Sequence, residues 1–308
     1  MSVESASPRI TVAKTYKLFV GGVFPRSESG RTYQVTDAKG AFQANAALAS
    51  RKDARDAVLA ARRGTAAWSA STAYNRGQVI YRIAEMLEGR RDQFSALVAA
   101  GEGVRPAVAQ QQVDAAIDLL VHYAGWTDKL AAVFGSANPV AGPYFSFTVP
   151  EPTGVVAAVA PQYDSLAGLV GVVAPIIASG NAVVVLASTT RPLPAVTLGE
   201  VLATSDLPAG VVNILTGEAA EIMPHLAAHG DVNALDLTGC DGQLRTELAT
   251  AASGTIKRVY VPRAPDAARP AVRRTGTVPG TARLRAFLEH KTVWHPTGAV
   301  SLAGGGSY

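Results

Sequence analysis

Two textures of apolar residues divide the chain. Over roughly its first half they recur mostly with helical spacing. Ser50 followed by Asp53 has the form of a capping box, opening a helix that runs towards Trp68. Val79, Ile80, Ile83, Met86 and Leu87 mark one face of a second helix. A third covers Val113, Ile117, Leu120 and the run Tyr123 to Leu130. Ahead of these helices, Lys17 to Val23 reads as a short strand turning at Gly21-Gly22 into another around Arg31 to Val35. Behind them, Tyr144 to Val149 alternates aromatic with small or polar residues between Pro143 and Pro150, which is a strand signal.

From Gly154 the apolar residues form continuous runs. Val155 to Ala160, Ala182 to Leu186, Val211 to Leu215 and Ala234 to Leu237 have strand length. Between them lie helix-compatible segments at Leu166 to Ala178, Ala195 to Ala203 and Glu221 to Ala228. Strands that are apolar throughout and alternate with helices predict a parallel sheet covered on both faces. The expected class is therefore α/β, a Rossmann-like doubly wound parallel sheet with N-terminal helices and a small β element. Small residues follow the strand ends, at Thr216-Gly217 and Thr238-Gly239, where nucleotide sites of such sheets lie. A helix from Gln243 to Ala252 and a fifth strand at Val259 to Val261 complete the pattern. Pro262 to Gly280, rich in Pro, Ala, Arg and Gly, reads as a linker. Beyond it come a short helix (Thr281 to Glu289), a strand (Lys291 to Trp294) and a Gly-rich tail at Gly304 to Gly306.

Composition narrows the function classes. With 48% hydrophobic and 17% charged residues in 308, the chain buries a large core. A net charge of +4, with basic residues in isolated pairs such as Arg62-Arg63, Arg90-Arg91 and Arg273-Arg274, gives no nucleic-acid footprint. One cysteine, Cys240, rules out an internal disulfide and fits a reducing, cytoplasmic setting. Met1 to Lys14 lacks the apolar core of a signal peptide. The most apolar stretch, Leu166 to Leu186, is interrupted by Pro175, Ser179, Gly180 and Asn181, so no membrane span is expected. His225, His229 and Glu221 share a helix face but lack a further ligand and a second shell, so no metal site is expected either. Trp68, Trp126 and Trp294 are read as packing anchors.

Several ordered segments resemble the aldehyde dehydrogenase superfamily. They are Leu18 to Gly22, Tyr123 to Leu130, Glu151 to Val156, Ala174-Pro175 through to Ser188, and Leu207-Pro208-Ala209-Gly210-Val211-Val212-Asn213-Ile214-Leu215-Thr216-Gly217. Arg285 to Trp294 resembles the family's extreme C-terminus, which contributes to subunit association. The resemblance implies four parts. Residues 1–150 would form an N-terminal helical region with an oligomerisation strand, and 151–261 a Rossmann-like cofactor-type domain. Residues 262–280 would be a linker in place of the catalytic domain, and 281–308 a C-terminal association segment.

The same comparison implies lost chemistry. Aldehyde oxidation in the family uses a cysteine thiolate, a carboxylate that activates water, and an asparagine amide at the oxyanion. Where the family has Pro-Trp-Asn, this chain has Pro161-Gln162-Tyr163. Where the general base follows Lys257-Arg258-Val259, it has Pro262-Arg263-Ala264-Pro265. No residue is assigned as catalytic, and Cys240 corresponds to a cofactor-side serine instead. The ribose-binding Lys-Pro-Ser-Glu is replaced by Leu186-Ala187-Ser188-Thr189, and the phosphate-side Gly-Ser-Thr-Glu-Val-Gly by Gly239-Cys240-Asp241-Gly242-Gln243-Leu244. Asp241 puts a negative charge where a pyrophosphate would sit. Pro161, Ser188, Gly217 and Gly239 are left as weak, vestigial cofactor contacts. No cofactor is expected, or NAD or NADP bound weakly. The function implied is a scaffold or partner subunit, inactive alone, that associates with itself or with a full-length aldehyde dehydrogenase. The alternatives are NAD(P)-dependent oxidation in complex with such a subunit, and nucleotide sensing.

Overall fold

Five parallel strands form the centre of the protein, and every residue of the four apolar ones is buried. A computed structural model describes residues 12–262 and 279–298. The expected linker at 262–280 falls almost wholly outside those residues, the tail at 304–306 falls wholly outside them, and so does most of the segment from Met1 to Lys14.

The chain opens with β1 (Thr15–Tyr16), β2 (Thr32–Thr36) and β3 (Phe42–Ala47), a small sheet in the order β1-β3-β2. Four helices follow: α1 (Arg51–Ala70), α2 (Ala73–Glu88), α3 (Arg91–Glu102) and α4 (Pro106–Ala124). A fifth, α5 (Leu130–Phe134), precedes β4 (Ser136–Asn138) and β5 (Tyr144–Pro152). The capping box predicted from Ser50 and Asp53 is present: Ser50 Oγ accepts from Asp53 N, and Asp53 Oδ2 accepts from Ser50 N at 2.8 Å.

Then the strands and helices alternate. They run β6 (Val155–Val159), α6 (Ala167–Ala178), β7 (Ala182–Leu186), α7 (Leu193–Leu202), β8 (Val212–Leu215), α8 (Ala219–Ala228), β9 (Ala234–Asp236), α9 (Gly242–Ala252) and β10 (Arg258–Tyr260). The sheet order is β10-β9-β6-β7-β8, all parallel. The order reverses between β6 and β9, the arrangement of a doubly wound sheet. Side chains alternate between two cores. Val156 and Ala158 face the side with α4 and α6, while Val155, Ala157 and Val159 face the side with α1, α8 and α9. Phe19 forms an antiparallel bridge to Ile214 along the outer side of β8, so the N-terminal segment covers that edge.

A short α10 (Ala282–Ala286) leads to β11 (Leu288–Pro296), which pairs antiparallel with β5 from Leu288↔Pro152 to Pro296↔Tyr144. With β4 these form a three-stranded sheet in the order β11-β5-β4.

Several boundaries differ from the sequence reading, each for a physical reason. The third predicted helix stops at Gly125 and restarts as α5. The predicted β5 ended before Pro150, yet the strand continues to Pro152. Because β4 pairs only with Ser146–Thr148, β5 is an edge on that side at Pro150, where a missing N–H is tolerated. The predicted helix Thr281 to Glu289 ends at Ala286, and the strand predicted at Lys291 to Trp294 starts at Leu288. Of the three predicted packing anchors, Trp68 is buried and Trp126 partly so, whereas Trp294 is 60% exposed and meets only the ring of Tyr144 edge-on among the aromatic contacts.

Candidate functional site

The register of the parallel sheet puts Pro161, Ser188, Gly217 and Gly239 in one row. Val159 lies opposite Leu186, and Leu186 opposite Leu215. Two residues beyond each come Pro161, Ser188 and Gly217. Ala158 lies opposite Asp236, so Gly239 closes the row from β9. All four predicted residues stand at the carboxyl edge of the sheet, spanning the point where the strand order reverses.

Beyond β6 and β7, the chain bonds mostly to itself. Ser188 is 3% exposed, and its hydroxyl donates to the Gln162 carbonyl at 2.9 Å. Gln162 bridges the two strand exits, with Nε2 donating to Ala160 O at 3.0 Å and Oε1 accepting from Thr189 N at 3.0 Å. Thr189 Oγ1 donates to Gly217 O at 2.9 Å, which ties the β7 exit to the β8 exit. Arg191 reaches across from the same loop to Gly101 O and Gln162 O, both at 3.2 Å. Behind Pro161, Glu102 at the end of α3 accepts from Ser165 N and Ser165 Oγ, both at 2.7 Å, just ahead of α6. The exits therefore hold polar groups whose partners are protein.

Beyond β9 the backbone comes close to β6. Gly239 N donates to Val159 O at 3.0 Å. Asp241 is the N-cap of α9, and its Oδ1 accepts from Leu244 N at 2.8 Å. The carboxylate thus already neutralises the helix end at which a phosphate would bind. Cys240 is 5% exposed, and burial pushes its thiol up to about 12; the Arg245 charge opposes this, and Asp241 and Asp236 each add a smaller rise. Iodoacetamide is accordingly expected to leave Cys240 unlabelled in the folded protein and to label it fully in guanidinium. Labelling of the native protein as fast as a free thiol would refute the burial argument.

Two residues of the site escaped the sequence reading. Asp236, 0% exposed, lies at the end of β9, and its Oδ2 accepts from Arg283 Nε at 2.8 Å. Arg283, on α10, also donates to Gly171 O in α6 and to Thr238 Oγ1, each at 2.7 Å. A carboxylate within the apolar run Ala234-Leu235-Asp236-Leu237 was the available signal, since a buried charge requires a partner. Elsewhere, His229 Nδ1 accepts from Asp231 N at 3.1 Å. Among the described residues no group of three or more His, Cys, Asp or Glu side chains is placed to hold a metal ion. Nor is any helix among them long and apolar enough to cross a membrane; Leu166 to Leu186 is α6, a turn and β7.

Comparison with known proteins agrees with this architecture. The model of the aldehyde dehydrogenase family matches residues 24–262. Among solved structures, an NADP-dependent enzyme from E. coli superposes with a TM-score of 0.74 at 23% identity, covering 80% of this chain and 50% of that one. An aldehyde dehydrogenase variant from Bacillus cereus gives 0.73 at 25% identity, with 80% and 50% covered. Betaine aldehyde dehydrogenase from Staphylococcus aureus, in complex with NAD+, gives 0.74 at 22% identity, with 79% and 48% covered. This chain spans about half the length of each of these proteins. With a family match over most of its residues and the strand order of a Rossmann-like sheet, the chain belongs to the aldehyde dehydrogenase family.

Proposed function

We propose that this protein is a non-catalytic member of its family, acting as a scaffold or partner subunit through the β4–β5–β11 sheet. The observation that carries the reading is the Asp241 carboxylate capping α9, at the helix end where a dinucleotide phosphate would have to sit. The Gln162, Ser188 and Thr189 side chains at the β6 and β7 exits are also bonded within the chain, and Thr189 supports Gly217 in the segment that resembles the family's ribose-binding stretch. These residues are a poor fit to a tightly held NAD or NADP. The one thiol is buried with a raised pKa, and Pro262-Arg263-Ala264-Pro265 carries no carboxylate to activate water.

The partner in this reading is a second copy of the chain or a full-length aldehyde dehydrogenase, in the cytoplasm and without nucleic acid or membrane. The division of labour follows the four parts 1–150, 151–261, 262–280 and 281–308. Support for association comes from β11, a nine-residue strand exposed along most of its length whose outer side has no strand partner among the described residues.

The purified chain is expected to give no NADH from aldehyde and NAD, and to elute as an oligomer or co-purify with a full-length family member. A monomer that produces NADH at a steady rate would overturn the proposal. A second reading, weak NAD(P) binding for sensing or for oxidation within a mixed complex, draws on relatives with bound cofactor such as the S. aureus enzyme. Calorimetric titration with NAD and NADP separates the two. Asp241→Ser keeps a cap while removing the charge, and should tighten any binding about fivefold at low salt, the equivalent of about 1 kcal/mol of repulsion.

A further inference from the structure

We infer that Arg283 is a latch that couples the carboxyl edge of the parallel sheet to the β11 strand. Arg283 joins the two elements that flank the reversal point, α6 through Gly171 O and the β9 exit through Asp236 and Thr238 Oγ1. Its guanidinium lies 5.0 Å from the centre of the Tyr260 ring on β10. The ion pair is deeply placed, with side-chain exposures of 16% for Arg283 and 0% for Asp236. A planar fork with several donors suits this work, because one residue can hold three acceptors at fixed angles.

The mechanical connection to β11 is short. Four residues after Arg283, Phe287 is fully buried, and its carbonyl accepts from Asn181 Nδ2 at 2.9 Å and from Thr153 N at 3.2 Å. Leu288, the next residue, begins the pairing with β5. Leu284, Phe287 and Leu288 belong to the same core as α4 and α6. A change at the β9 exit that displaces the guanidinium therefore pulls on the segment that positions β11. Equally, β11 bound by another chain holds Arg283 in place. The edge and the antiparallel sheet are two ends of one element, so occupancy at one end biases the other. This inference stands whether or not the chain oxidises aldehydes.

Hydrogen–deuterium exchange of the whole protein tests it. Arg283→Met should speed exchange tenfold or more both at 236–240 and at 288–296, because it leaves the buried Asp236 carboxylate without its cation, bonded only to Thr238 N and Thr238 Oγ1. Asp236→Leu combined with Arg283→Met removes both charges, and should recover most of the lost protection at 236–240 while leaving 288–296 faster than in the wild type. Unchanged exchange at 288–296 in Arg283→Met would overturn the latch, since the strand would then be held without it. If that variant does not fold, Arg283→Lys keeps the cation and loses the fork. It should speed exchange in both segments at least threefold, and no change in either would be equally fatal.

Discussion

Trp68→Ala is expected to destabilise the protein by about 3–5 kcal/mol, the usual range for deleting a buried large aromatic. Trp68 sits on α1 at 1% exposure, and its indole Nε1 donates to Ile177 O at 2.8 Å. Ile177 lies in the last turn of α6, where carbonyls lack helical partners. The ring therefore fills a space between α1 and α6 and also satisfies part of a helix end. Ile177 O accepts from Gly180 N as well, at 3.0 Å, so it is not stranded when the indole leaves. For that reason Trp68→Phe should cost far less, about 1 kcal/mol. Urea unfolding of the two variants checks the ratio. Equal losses would mean that the hydrogen bond, and not the volume, sets the value of this residue.

A second large effect is expected at Gly239. A Cβ there would lie 2.0 Å from Ala160 O, 2.6 Å from Ala160 C and 2.8 Å from Val159 Cγ1. None of these atoms is the free end of a flexible chain. Val159 and Ala160 are 0% and 2% exposed, so β6 cannot give way without moving the sheet. Gly239→Ala should cost about 3 kcal/mol or more, at the upper end for overpacking. The result separates two roles for this glycine. If it serves only the close approach of a ligand, the variant will unfold at the wild-type urea concentration. If it serves the contact between β6 and β9, the midpoint will fall without a change in slope.

Legibility of the fold in the sequence followed burial. Strands β6, β7, β8 and β9 are buried on both faces, so their residues are apolar apart from Asn213 and Asp236, and the apolar runs mark them to within a residue or so. The helix α3 and the strands β1, β3 and β4 leave no such signal, and the strand expected at Lys17 to Val23 is reduced to isolated bridges at Phe19, Val20 and Val23. In β4 three residues, Ser-Ala-Asn, carry no apolar pattern; they pair with β5 through the backbone ladder and through Asn138 Nδ2, which donates to Ser146 Oγ and Thr148 Oγ1. β11 was read too short because most of its residues face solvent on both sides and have no core to record. At the carboxyl edge, Pro161, Ser188, Gly217 and Gly239 could be placed because they end recognisable strands. The Gln162 bridge could not, since a glutamine after a strand has no pattern that fixes its side chain. The Arg283–Asp236 pair was hidden in the same way, its partners being 47 residues apart in sequence.

The pairing of β5 with β11 also sets a timetable for biosynthesis. Their partners are 136 to 152 residues apart in sequence. At about 5–20 residues per second, a ribosome makes β5 roughly 7–30 s before its neighbour emerges. Throughout that interval the nascent chain carries a strand with Phe145 and Phe147 on it and one long side unclaimed. Such an interval is long enough for chaperones to bind, or for two nascent chains to pair through β5. Slower growth at low temperature would not shorten it, but chaperone supply would make it safer.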